Sequence, residues 1–104
     1  MKTRLFWQLA ERLLVEGRAE RGTMMGFPCL RAGGAFFASL ERGTGDLVVK
    51  LPAGRVAGLV AAGEGVPFSP AGRVFREWVA VPHADAAAWA ALLEEAHRFV
   101  AGDA

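Results

Sequence analysis

The chain has 104 residues, a 53% hydrophobic composition and a net charge of +1 from twelve basic and eleven acidic side chains. That length and apolar content supply one core, so residues 1–104 read as a single domain. The near-balance of charge excludes the strongly basic footprint of a dedicated nucleic-acid binder; the lone Cys29 excludes an intramolecular disulfide and predicts a cytoplasmic protein.

Between Thr3 and Glu16, Leu5, Phe6, Leu9 and Leu13 recur at helical spacing opposite Arg4, Gln8, Glu11 and Arg12. Thr3 suits the start of this helix and Gly17 its end. Glu11 and Arg12 cut the apolar run well short of a signal sequence or a membrane span, so the segment reads as part of the fold and no membrane partner is expected. Arg18 to Thr23 is polar and reads as a connection.

Met24 to Leu51 reads as three strands joined by two glycine turns. Pro28 cannot donate a ladder hydrogen bond, which puts the half from Met24 to Pro28 on an edge or at a bulge, with Gly26 for flexibility. The regular part is Cys29 to Ala32. Gly33-Gly34 is a hairpin signal, because a type I′ turn needs positive φ at both positions. Ala35 to Glu41 follows, then a turn through Gly43-Thr44-Gly45 into Asp46 to Leu51, whose Val48-Val49 pair suits a central strand.

Pro52 opens a second helix, with Val56, Leu59 and Val60 on its apolar side and Gly63 at its end. Gly54 and Gly58 inside it make it dependent on packing. A turn-rich loop with a short strand at Val66 to Phe68 precedes a strand from Val74 to Val81, which Pro82 ends. Trp89, Leu92, Leu93, Ala96, Phe99 and Val100 define the last helix, with Asp85 as its cap and Glu94 four residues before Arg98. The predicted fold is α+β: a two-layer sandwich with an antiparallel sheet of four or five strands and helices mainly on one face.

The chemistry-bearing residues are few. His83 and His97 lack further ligands at metal spacing, and read as a helix-start and a helix-flank residue. Cys29 in an apolar strand reads as a small buried side chain. The glycines of AGGA and RGTG link strand to strand, whereas a phosphate loop leads from a strand into a helix. Phe36, Phe37, Phe75, Phe99, Trp7 and Trp89 read as core. No metal, cofactor or catalytic residue is predicted, and the chain is not expected to be an enzyme.

One surface stands out. Lys50 lies opposite the Leu47, Val49 and Leu51 face of its strand, and Arg76 and Trp78 share a face of the last strand. If these coincide on the side away from the helices, with Arg31 and Arg73 at the margins, cations stand beside a ring. Such a face suits an anion, a nucleotide or a single-stranded nucleic acid; a solvated face with Glu77 or Asp46 as partners is the plainer reading.

Several pieces in order resemble the TfoX N-terminal domain family and, more distantly, YjbR-like proteins. They are Met25-Gly26-Phe27, Gly34 with Phe37-Ala38, Leu47-Val48-Val49-Lys50, Pro67-Phe68, and Arg76 with Trp78-Val79-Ala80-Val81-Pro82. The family's usual Met-Phe-Gly-Gly is here Met25-Gly26-Phe27-Pro28, and the helical C-terminal domain of competence regulators is not part of this chain, so regulation through that domain is not carried over. The resemblance implies the α+β architecture, and its YjbR-like side implies DNA binding through wing-like hairpins. The reading favoured overall is a binding or regulatory module acting by protein contact, a homodimer included. The alternative is DNA or nucleotide binding through the open sheet face and the glycine hairpins, with Arg31 and Arg42 on phosphates.

Overall fold

A computed structural model describes residues 2–24 and 27–102. Helix α1 (Lys2–Val15) buries Phe6, Ala10 and Leu13 along one stripe. It begins at Lys2, so Thr3 sits inside the first turn rather than capping it. Gly17 closes it at φ 73°, with the Gly17 N–H on the Leu14 carbonyl and the Arg18 N–H on the Leu13 carbonyl. That left-handed position is why glycine is needed there.

The strands are β1 (Glu20–Met24), β2 (Phe27–Ala32), β3 (Ala35–Leu40), β4 (Leu47–Lys50), β5 (Val66–Pro67) and β6 (Trp78–Val81). They form one antiparallel sheet in the order β1-β2-β3-β4-β6-β5. Helix α2 (Ala53–Ala61) joins β4 to β5, a 3-10 turn at Pro70–Gly72 lies between β5 and β6, and α3 (Ala86–Ala101) follows. Asp85 caps α3 as expected, its Oδ2 accepting from the Ala88 N–H at 2.9 Å.

The α+β fold with an antiparallel sheet is as predicted, but the sheet has six strands. The additional one is β1, expected to be a connection. Glu20 to Thr23 lacks apolar alternation, and the strand is made by its ladder to β2, from Glu20 opposite Arg31 to Met24 opposite Phe27. β2 is therefore an inner strand, not an edge; Pro28 is tolerated because pairing with β3 begins only at Cys29, opposite Ser39. Gly26 lies outside the described residues. The Gly33-Gly34 turn has φ of 58° and 87°, the two positive values a type I′ hairpin requires.

The helices share one side. α3 packs on α1 and over β3 and β4. Arg18, just after α1, forks onto Glu94 of α3 at 2.9 and 3.0 Å, and Arg55 of α2 forks onto Glu95 at 2.9 and 3.0 Å. Glu94 is thus engaged by Arg18, not by the Arg98 expected from its own helix. Leu30, Ala38, Val49 and Val79 are cross-strand partners facing the helices, as are Leu40, Leu47 and Val81, and all belong to the core cluster with Trp89, Leu92, Leu93 and Phe6. His97 is not a flank residue. It is buried, its Nε2 is 2.8 Å from the Arg18 carbonyl, and its ring meets Phe37 edge-on. No described helix is long and apolar enough to cross a membrane.

Candidate binding face

Because strand side chains alternate, the partners next to the core row point the other way. Cys29, Ser39, Val48 and Ala80 form that row: small side chains, buried, with none of them in the helix-side core cluster. Ser39 donates through Oγ to the Pro28 carbonyl at 2.9 Å. Burial pushes the Cys29 thiol above its ordinary value, and the Arg31 charge opposes that only in part, so Cys29 is a poor nucleophile as its sequence setting suggested.

Beside this floor runs a row of larger side chains. Glu20 pairs with Arg31, Arg31 with Phe36, and Lys50 with Trp78. With strands about 4.8 Å apart, a cation stands beside a ring twice, once between β2 and β3 and once between β4 and β6. A bulge arranges the first. Leu30 pairs with Ala38 but Arg31 with Phe36, leaving Phe37 as the extra residue on β3. Phe37 turns into the core, its ring centroid 5.6 Å from that of His97, while Phe36 stays half-buried on the helix-free face. A Cβ on Gly22 would come within 3.3 Å of the Phe36 ring, so a side chain there would require the ring to give way by a few tenths of an ångström.

Both cations of the row have weak partners. Arg31 Nε lies 3.5 Å from a Glu20 carboxylate oxygen without hydrogen-bond geometry, and Lys50 Nζ lies 4.0 Å from Glu77. Such loose, partly solvated pairs are easily exchanged for a ligand's charges. Lys50 and Trp78 are thus brought together as the sequence suggested. Arg76 precedes the strand: β6 begins at Trp78, whose N–H bonds the Phe75 carbonyl at 3.2 Å, so Arg76 sits in the turn and strand alternation does not place it on either face. Arg73 belongs to the same loop, its guanidinium 5.5 Å from the Phe75 ring centroid. Arg42, the other wing cation, lies over the Phe27 ring at 5.4 Å.

That loop is where sequence reasoning missed most. Val66, Val74 and Phe75, three of the four large apolar side chains exposed among the described residues, all sit on the β5–β6 hairpin. Phe68 and Phe75 pair there with centroids 6.1 Å apart. In the sequence Val74 and Phe75 look like strand, and only their failure to join the ladder exposes them. At the other end of the hairpin, against α2 and α3, lies a cleft of about 570 Å³. Leu59, Val81 and Leu92 line its apolar wall, and Glu64, Asp85 and Glu95 bring carboxylates to it.

No family model, curated protein or solved structure matches the chain. Its chemistry is therefore read from the geometry. The face offers rings to stack and loosely paired cations, with an exposed apolar loop beside them, which is equipment for binding.

Proposed function

We propose that this chain is a non-enzymatic binding or regulatory module of the TfoX N-terminal type, acting in the cytoplasm through protein contact on the helix-free face and the adjoining β5–β6 hairpin. The observation that carries this reading is the exposure of Val74 and Phe75 at the tip of the hairpin, just before the half-buried Trp78, with a third exposed apolar side chain, Val66, at the hairpin's cleft end. Monomeric surfaces scatter such side chains singly, and rings with arginines are what interface centres are rich in. The ordered resemblance of the strand pieces supports the family side of the proposal.

A photo-crosslinking residue at position 78, compared with one at the exposed Ala57 on α2, tests it in cells. A discrete adduct at 78 and none at 57 is expected; equal labelling at both would sink the reading.

Two cation–ring pairs, Arg31 beside Phe36 and Lys50 beside Trp78, favour a second reading, nucleotide or single-stranded nucleic acid on the same face. Fluorescence anisotropy with a labelled oligothymidine decides it. Affinity that falls with salt and is lost on combining Arg31→Ala with Lys50→Ala supports it, and affinity indifferent to both removes it.

A further inference from the structure

The hairpin and the cleft are complementary, and they lie at opposite ends of the same strand. The tip carries Val74 and Phe75 with Arg73 and Arg76, against one acid, Glu77. The cleft has an apolar wall of Leu59, Val81 and Leu92 and three carboxylates against Arg55, which is itself forked onto Glu95. At about 570 Å³ it falls in the range of sites that hold a small organic group. The tip precedes Trp78, where β6 begins, and Val81, where β6 ends, lines the cleft. The strand between them spans three residue rises, about 10 Å, so the tip and the cleft are separated by at least that distance.

β5 is the outer strand of the sheet on this side. When two such edges run antiparallel about a two-fold axis, the tip end of each lies at the cleft end of the other. Both contacts then form at once, and the assembly closes as a dimer instead of growing into a chain. No backbone pairing between the edges is needed, and Pro67 has no N–H to offer it.

We infer that the partner of the β5–β6 hairpin is a second copy of this chain, with Phe75 and Val74 of each copy seated in the Leu59–Val81–Leu92 cleft of the other and Arg73 and Arg76 facing Glu64 and Asp85. This rests on the proposed protein-contact reading and names its partner. Two small contacts predict a dimer of modest strength, with a dissociation constant of about 1–100 μM.

Sedimentation velocity on the full chain across a concentration series tests this. Wild type is expected to show a monomer–dimer equilibrium. Phe75→Asp at the tip and Ala91→Trp in the cleft each replace an exposed side chain, so circular dichroism should report an unchanged fold. Each alone should weaken dimerisation at least about tenfold. Mixed together they keep one of the two contacts, the intact tip of the cleft variant in the intact cleft of the tip variant, and should associate more tightly than either variant alone but more weakly than wild type.

A wild type that stays monomeric to about 1 mM, a dimer indifferent to both substitutions, or a mixture that associates no more tightly than either variant alone would each overturn the inference. A dimer lost on Phe36→Ala with Lys50→Ala but kept in Phe75→Asp would overturn the tip-and-cleft contact while leaving the sheet-face reading standing.

Discussion

His97 shows how a single side chain can tie the sequence-distant ends of a chain together. Its Nε2 donates to the carbonyl of Arg18, and its ring packs on the bulge residue Phe37, so α3, the α1–β1 connection and β3 meet at one imidazole. Replacing it by Leu keeps the apolar contact and leaves the Arg18 carbonyl without its donor. The expected loss is about 1–3 kcal/mol in denaturant unfolding, and His97→Gln should recover part of it because the amide can still donate. Next to it the Arg18 fork holds the Glu94 carboxyl below the ordinary glutamate range, against a smaller opposing effect of burial. A carboxylate lowered in this way stabilises fully above its unfolded value, about 4.3, and loses that contribution as the pH falls through its lower folded value. The stability gap between wild type and Glu94→Gln should therefore be widest at neutral pH and close in acid. A gap constant with pH would contradict the assignment. None of this was legible in the spacing of α3, where Arg98 was the obvious partner. A guanidinium seventy-six positions away along the chain took its place, because the tertiary fold put it nearer.

Helix α2 is held by packing, as its glycines suggested. Val56 and Leu59 are buried, and a Cβ added at Gly54 or Gly58 would meet nothing within 4 Å. Neither has positive φ. Gly54→Ala and Gly58→Ala should each stabilise the protein by about 0.5–1 kcal/mol, seen as a higher denaturation midpoint. Gly65, at the entry to β5, behaves oppositely. A Cβ there would fall 2.6 Å from Cγ2 of the buried, β-branched Val79, and Gly65→Ala should cost about 1–3 kcal/mol. The element sequence alone misjudged is the last strand. Val74 and Phe75 have strong β propensity, yet ladder pairing to β4 begins only at Lys50 opposite Trp78. Propensity describes what fits a sheet; it does not supply the partner strand. That difference releases two apolar side chains to the surface and builds the hairpin tip on which the proposed contact depends.

At the scale of the molecule, near-neutral charge is the dominant solution property. With a sequence pI near 8.0, solubility should be lowest close to pH 8 and rise toward about pH 6, as light scattering through a pH series would show. A dimer that strengthens near the same pH would have to be separated from this nonspecific effect by the Phe75→Asp variant. Much of the architecture was written locally. Gly33-Gly34 demands a tight hairpin, Asp85 starts α3, Gly17 and Gly63 end helices, and the period of Trp89, Leu92, Leu93 and Ala96 marks a core face. These are short-range effects of backbone sterics and side-chain spacing, so residues alone determine them, and with them the α+β class. What only the tertiary structure decided depends on which segments come together. A polar stretch becomes β1 because β2 offers it a ladder, and a bulge sends Phe37 inward and leaves Phe36 beside Arg31. Lys50 faces Trp78 only because β4 pairs with β6 across an intervening helix. A strand's pattern and the turn beside it constrain register, but they do not say which strand pairs across a long connection or where a bulge falls, which is why the binding face could be suspected from its residues but assembled only by the fold.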